Sequence, residues 1–284
     1  DVIVVGFGGG GAAAAIAAAD EGASVLVLER HYGGGSTAHS GGVVYAGGGT
    51  DVQKAAGVED TPEAMFEYLR QETQGVVSDD TLRAFVNGSP GMIDWLRTQG
   101  LEFEGSLCDY KTSSPTNRHY LYYSGNELAS GYAEAAAPAP RGHRAHAKNF
   151  TGAVFYGRLR ESALAKGVTF RPLADVKRLV TEDGDVVGVE FEAPEPGRGP
   201  GAWHEKFDKA AGKMVIYYRP VGTRMNKVAE SVRSRRSRTW RARARGGVVI
   251  ATGGFGFDKE LVRKYAPTYV DMGALGPGGE DGSA

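Results

Sequence analysis

The residues best suited to chemistry near the start of the chain are a set of glycines and, a little further on, one acid. Gly6-Phe7-Gly8-Gly9-Gly10-Gly11 satisfies G-x-G-x-x-G, and Glu29 lies 18 residues past Gly11. Glycine at these steps allows a tight turn at Gly6, brings bare backbone up to a pyrophosphate at Gly8, and packs a helix closely on a sheet at Gly11. The carboxylate of Glu29, with Arg30 beside it, can accept hydrogen bonds from both hydroxyls of an adenosine ribose. The chemistry implied is adenine-dinucleotide binding with a free 2′-hydroxyl.

The flanking sequence supplies the elements such a site needs. Asp1–Val5 is an apolar, β-branched run and reads as a buried strand. The alanine-rich stretch Ala12–Asp20 favours helix, and Gly22 ends it. Ser24–Glu29 is the next strand. The helix N-terminus offers unpaired N–H groups and a positive dipole end to the phosphates.

A second glycine-rich segment points to FAD rather than NAD. Gly33-Gly34-Gly35-Ser36-Thr37-Ala38-His39-Ser40-Gly41-Gly42 comes directly after the second strand. A glycine loop with hydroxyls at Ser36, Thr37 and Ser40 forms a second backbone cradle, able to wrap the far phosphate and pass close to a flavin ring. Gly246–Gly254 is a strand entering the turn Ala251-Thr252-Gly253-Gly254, expected to return to the first sheet. Val168–Pro172 reads as a strand, and Val176–Thr181 with Val186–Glu192 as a hairpin closed by Asp183-Gly184. This β-meander would cross one face of the fold, with the Val176 backbone at the adenine edge. A second G-x-G-x-x-G is absent, since Gly197-Arg198-Gly199-Pro200-Gly201 follows no strand. Electrons are therefore expected to pass to or from an external carrier.

With these motifs in place, the chain resembles the FAD-dependent fumarate reductase/succinate dehydrogenase flavoprotein superfamily. The carriers are the fingerprint with Glu29, the Gly35-Ser-Thr…Ser40-Gly-Gly loop, the Ala251-Thr252-Gly253 turn, and Asp281 with the closing glycine tract. Ser40-Gly-Gly-Val-Val-Tyr-Ala-Gly-Gly-Gly-Thr50 is most similar to the 3-ketosteroid dehydrogenase branch, Δ4-(5α) type. The resemblance implies a Rossmann-like α/β FAD-binding fold with a β-meander crossover and a partial α+β substrate cap. It also implies a steroid substrate. Succinate dehydrogenases bind flavin covalently through a histidine just before the loop threonine. Ser36 holds that place here and His39 is out of register, so FAD is expected to be non-covalent. Relatives run on past this C-terminus, so the chain reads as truncated there, with part of the active site beyond it. Three segments are expected: 1–60, the first part of the FAD domain; 61–150, a helical and loop region partly facing substrate; and 151–284, the rest of the FAD domain with the meander and the start of the cap.

The middle of the chain carries the candidate catalytic groups. Dehydrogenation beside a ketone needs a base for the α-proton, a hydride acceptor, and donors for the developing enolate oxygen. Residues 105–150 read as a long loop in which tyrosines, Tyr120, Tyr122 and Tyr123 among them, sit among Lys111, Arg118 and His119. Tyr120 and Tyr123 are the catalytic candidates. His143, between Arg141 and Arg144, reads as a solvated basic turn. Thr61-Pro62-Glu63 starts a helix to about Gln74, and Ser78 caps another that should break near Gly88–Pro90. Thr151–Lys166 reads as a helix with Val154, Phe155, Leu159 and Ala163 on one face. Ser231–Arg245 holds seven arginines and no acid, and reads as an exposed meander edge.

Composition sets the outer bounds. The 284 residues are 41% hydrophobic and 24% charged, which excludes a disordered chain. Lys+Arg 33 against Asp+Glu 34 gives no global charge for a nucleic-acid partner. The longest apolar runs, Ala12–Ala19 and Val248–Ala251, are too short to span a membrane. One cysteine, Cys108, excludes an internal disulfide framework and fits a cytoplasmic protein. A fumarate reductase or aspartate oxidase acting on a small dicarboxylate is the rival enzyme. An FAD-binding module inactive without its missing part is the rival of another class.

Overall fold

A computed structural model describes residues 1–195, 200–235, 237–272 and 282. Its elements run β1 (Val2–Val5), α1 (Gly9–Asp20), β2 (Val25–Glu29), α2 (Gly35–His39), β3 (Val43–Tyr45), α3 (Asp51–Ala55), α4 (Pro62–Thr73) and α5 (Asp79–Thr98). Then come β4 (Leu107–Lys111), β5 (Leu121–Tyr123), α6 (Ser130–Ala135), β6 (Gly142–Arg144), α7 (Gly152–Ala165), β7 (Thr169–Pro172), β8 (Asp175–Glu182) and β9 (Asp185–Pro194). The chain continues through α8 (Ala202–Tyr217), α9 (Arg219–Ser234), β10 (Ser237–Arg243), β11 (Gly247–Ile250) and α10 (Lys259–Tyr265). It divides into two compact units, Asp1–His39 with Leu159–Ala284, and Ser40–Arg158.

The first unit holds a parallel sheet of order β11-β1-β2-β7 and an antiparallel sheet of order β10-β9-β8. Val2–Val5 pairs with Gly247–Ile250 on one side and Val25–Leu28 on the other, so the late strand does return to the first sheet. Ile3, Val5 and Leu28 of the parallel sheet share a buried cluster with Val189, Phe191 and Ala193 of β9. Trp240 and Ala242 of β10 pack against it, leaving the arginines between them on the outer face. The β8–β9 hairpin turns through Asp183 (φ 51°) and Gly184 (φ 94°), two consecutive left-handed residues as a tight type I′ turn requires.

Two features of this unit differ from the sequence reading. Between β9 and β10 the chain makes a helical hairpin, α8 and α9, for which the sequence reading names no element, and the start of the arginine run, read as a meander edge, lies in α9. Its buried positions His204, Ala211 and Val215, then Gly222, Ala229 and Arg233, follow helical spacing. The available signal was Arg219-Pro220, a proline placed in the first turn of the second helix. On α7 the buried residues are Tyr156, Leu159 and Ala163, while Val154 is exposed. Tyr156 carries the larger apolar surface and sets the helix face.

The second unit holds a four-stranded sheet of order β3-β6-β5-β4. Residues 105–150 thus carry three strands and a short helix between loops, and are not one loop. β5 and β6 have only three residues each, too short to show a two-residue period, and they form by pairing with each other and with the distant β3. Helix α5 also runs unbroken through Pro90. Leu82, Val86, Ser89, Ile93 and Leu96 keep one buried stripe across it, and that burial outweighs one lost backbone hydrogen bond.

Candidate functional site

The glycine turn is built by the first unit alone. Gly6 has φ 95°, and a Cβ there would lie 2.4 Å from the Ala251 carbonyl oxygen. A Cβ on Gly11 would lie 2.0 Å from the Gly6 carbonyl oxygen. Both positions are closed to side chains by the protein's own backbone. Gly8 differs, because its nearest neighbour would be Thr37 Oγ1 at 3.8 Å. The fold tolerates a side chain at Gly8, so what a side chain there would displace is a ligand approaching the backbone. Gly9 N donates to Thr37 Oγ1 at 3.0 Å, and Gly34 N donates to the Phe7 carbonyl at 2.8 Å. The second glycine loop is thereby tied to the first. Ser36 lies in the short helix α2 of that loop.

Glu29 ends β2 with its carboxylate fixed. Phe7 N donates to Oε2 and His31 N donates to Oε1, each at 2.8 Å. Each oxygen keeps lone-pair capacity for a ribose hydroxyl. Glu29, Arg30 and Gly35 line a cavity of about 760 Å³ whose far wall comes from α8 and α9. That volume falls in the range of small-molecule and cofactor sites.

The hairpin is pinned to the loop after β2 by two polar contacts. Tyr32 donates its hydroxyl to His204 Nδ1 at 2.9 Å, and His204 Nε2 donates to the Ala229 carbonyl. His31 Nδ1 lies 3.0 Å from Asp208 Oδ1. Burial works against the His31 cation, but the Asp208 carboxylate outweighs it and holds the pKa above the ordinary value. Sequence reasoning missed this wall entirely.

The Ala251 amide donates to the Val5 carbonyl at 2.8 Å, and the chain then turns through Thr252 and Gly253 (φ 87°). Val176 lies in β8, partly buried against the core. Asp281 lies outside the described residues.

The donor set fits an adenine dinucleotide at three independent points: a backbone opening at Gly8, a helix N-terminus behind it, and a pre-oriented carboxylate at Glu29. A family model described as FAD binding domain matches residues 1–284. The chain belongs to the FAD binding domain family. Over 185 residues this flavoprotein chain is 44% identical to a 3-oxo-5-alpha-steroid 4-dehydrogenase of Comamonas testosteroni, covering 63% of the chain and 34% of that relative. It superposes on the 3-ketosteroid-Δ4-(5α)-dehydrogenase of Rhodococcus jostii RHA1 with TM-score 0.81 and 31% identity, over 100% of this chain and 52% of that one. A flavocytochrome c3 fumarate reductase shares the fold at TM-score 0.67 and 24% identity, over 100% of this chain and 38% of that one. The chain thus spans about half or less of the length of these relatives. FAD is the cofactor of this flavoprotein domain.

The second unit of the flavoprotein chain holds the remaining candidates. Ser40 and Gly41 accept through their carbonyls from Gly152 N and Thr151 Oγ1, at 3.1 and 2.8 Å. Gly42 has φ 67°, and a Cβ there would meet Thr151 Oγ1 at 2.2 Å. Tyr120 is buried, and its hydroxyl donates to the Ala147 carbonyl at 2.9 Å. Tyr123 is half-buried at the end of β5, and burial, then the nearby Glu127 carboxylate, raises its pKa. Among the described residues no group of His, Cys, Asp and Glu could hold a metal ion. No helix there is long and apolar enough to cross a membrane.

The basic stretch 141–144 is not a solvated turn. Arg141 and His143 are 0% exposed and Arg144 is 3% exposed, on a strand between two others. Arg141 makes a two-point contact with Asp60, Nε to Oδ2 at 3.0 Å and Nη2 to Oδ1 at 2.7 Å. His143 Nδ1 donates to the Arg141 carbonyl, and its Nε2 accepts from Thr50 Oγ1 at 2.8 Å. Burial pushes its pKa down to about 4, so the ring is neutral. Thr50 in turn caps α3 in a capping box with Gln53.

Proposed function

We propose that the protein is an FAD-dependent oxidoreductase that introduces or reduces a C=C bond beside the ketone of a 3-oxosteroid. The observation that carries this reading is the 44% identity to the Comamonas steroid 4-dehydrogenase. Bound FAD would accept or supply the hydride, and an external carrier would exchange the electrons. The residues of this chain have narrower tasks. Gly6, Gly8 and Gly11 with the α1 N-terminus hold the pyrophosphate, Glu29 with Arg30 orients the ribose, and the Val176 backbone meets the adenine. Gly35, Ser36, Thr37, Ser40, Gly41 and Gly42 are assigned to the flavin-side loop, and Ala251, Thr252, Gly253 and Asp281 to its closure. With Ser36 where a covalent histidine would stand, FAD is held without a bond. Tyr123 is the proposed proton-transfer group, and Tyr120, already bonded to Ala147, supports that strand. A cytoplasmic location accords with the single free cysteine, Cys108.

The test is a visible spectrum of the purified protein, then dye-coupled turnover of 3-oxosteroids and of fumarate. Flavin bands that leave the pellet on acid precipitation, and turnover of the steroid alone, are expected. Turnover of fumarate alone would overturn the substrate class. Bound flavin with no turnover of either would favour the module reading. Gly8→Ala should keep the thermal midpoint and lose FAD, whereas Gly11→Ala should lose the fold as well.

A further inference from the structure

The α8–α9 hairpin is an excursion from the meander. Pro194 of β9 pairs with Ser237 of β10 at its neck, so the antiparallel sheet is complete without it. Its two helices move as one body. A Cβ on Gly222 would lie 2.2 Å from Val215 N, so α9 runs directly against the α8 backbone. Near its base the body is pinned to the loop after β2, by Tyr32 to His204 and His31 to Asp208. At its tip the Arg219 guanidinium lies 5.0 Å from the centre of the Phe257 ring, beyond β11. The excursion thus bridges two parts of the first unit that follow different strands of the parallel sheet.

Between base and tip the hairpin walls the cavity of about 760 Å³, all of it within the first unit. Asp208, Gly212 and Val215 of α8 line it, and so do Thr223, Asn226 and Glu230 of α9. Steps of three and four residues place each set on one face of its helix, so one stripe of each helix is turned to the cavity. The α8 stripe is polar at Asp208 and has no polar side chain at Gly212 and Val215. Phe257, Val262 and Val270 line the same cavity from the segment after β11. Glu29 lines it too, whereas Gly8, Ser40, Gly41 and Gly42 do not. Asp175 and Lys177, on either side of Val176, are also in its wall.

We propose that the α8–α9 hairpin is the adenosine-holding wall of the FAD site, with the adenine ring against Gly212 and Val215. A purine presents flat apolar faces and a rim of hydrogen-bonding atoms. This cavity joins an apolar strip to a hydroxyl at Thr223 and to the β8 backbone around Val176. It opens from the ribose carboxylate and leaves out the glycines assigned to the pyrophosphate opening and to most of the flavin-side loop. The hairpin would therefore select for the half of FAD that FMN lacks. This inference rests on the assignment of Glu29 to the ribose.

The experiment titrates flavin-free protein with FAD, FMN and ADP, following flavin fluorescence and the hydrogen exchange of the α8 and α9 amides. FAD and ADP should both slow exchange in the hairpin, and FMN should not. Thr223→Trp puts bulk into the cavity from an exposed position, so the flavin-free variant should keep the wild-type thermal midpoint. It should bind FAD and ADP about tenfold more weakly or worse, the order of effect expected for overfilling a site, and FMN as before. FAD binding as tight as in wild type, or equal losses for FAD and FMN, would overturn the proposal. So would hairpin exchange that neither FAD nor ADP slows, a result read on wild type alone. Glu29→Ala separates the two assignments. Undiminished FAD binding in that variant would overturn the ribose assignment and the hairpin proposal together. Lost FAD binding there, with no hairpin protection by ADP in wild type, would overturn the hairpin proposal alone.

Discussion

Two arginine-bearing stretches of this chain look alike in sequence and meet opposite fates. Arg141–Arg144 is buried on an inner strand of the second unit. The run from Arg233 to Arg245 ends on an edge strand of the first unit, with β10 arginines facing out. Arg233 at the head of the run is buried and paired with Asp175 and Glu230, and the exposed arginines on and after β10 are paired as well. Arg241 pairs with Glu190, Arg243 with Glu182 and Arg245 with Asp1, at 2.8, 2.9 and 2.9 Å. A run without internal acids is thus no free basic patch, because paired strands bring acids to it. The buried stretch has one carboxylate in direct contact among the described residues, Asp60, and makes its other bonds to carbonyls, a hydroxyl and an amide, while Arg141 Nη1 is left without a partner. Screening explains the contrast: exposed pairs contribute little and need only proximity, while a buried guanidinium needs a matched partner.

The contrast can be broken from its strong side first. Asp60→Ala should remove about 3–5 kcal/mol of unfolding free energy by leaving the Arg141 cation buried without its counter-charge. Urea denaturation checks this, and a loss below about 1 kcal/mol would mean that Arg141 finds water or another acid. Acid should weaken the same strand. The unfolded His143 titrates near 6.5 and the folded one near 4, so the unfolded state binds more protons between these values. Stability should fall as pH drops through that window, by on the order of 3 kcal/mol in total. His143→Gln should flatten the slope in pH-dependent denaturation. The weakest expected effect is Arg243→Ala, less than about 1 kcal/mol and smaller still at high salt. A larger, salt-insensitive loss would show that the edge arginines form a cooperative network.

One smaller test concerns the wall opposite Glu29. Asp208→Asn should lower the His31 pKa, measurable by NMR titration, because the carboxylate is what raises it. Wild-type His31 contributes stability in full below about 6.5, and that contribution is lost as pH rises through its folded pKa. The variant should therefore lose stability mainly on the acid side, and no change there would mean that the hairpin is held by Tyr32 and His204 alone.

Much of the first unit was legible because its signals are local. Asp183-Gly184 turning β8 into β9 and the Gly6 to Gly11 spacing each act within a few residues, as does Thr61-Pro62 capping α4 in the second unit. The hairpin α8–α9 was overlooked because its helical pattern of buried residues is diluted by lysines and arginines. The strands β3, β5 and β6 were illegible for a different reason: three residues carry no period, and their partners are distant. Among the candidate site residues, the turn at the glycines and the strand end at Glu29 were legible as local geometry, whereas the surroundings of the tyrosines were not.

By itself the sequence determined the glycine turn between β1 and α1 and the acid, Glu29, that ends the next strand, since a glycine's missing Cβ and a strand end act through chain geometry alone. Only the tertiary structure decided that Arg141 is an interior cation and that the α8–α9 hairpin walls the cavity at Glu29. Burial and hydrogen-bond completion depend on groups brought from far along the chain, as Asp60 is brought across 81 residues to Arg141.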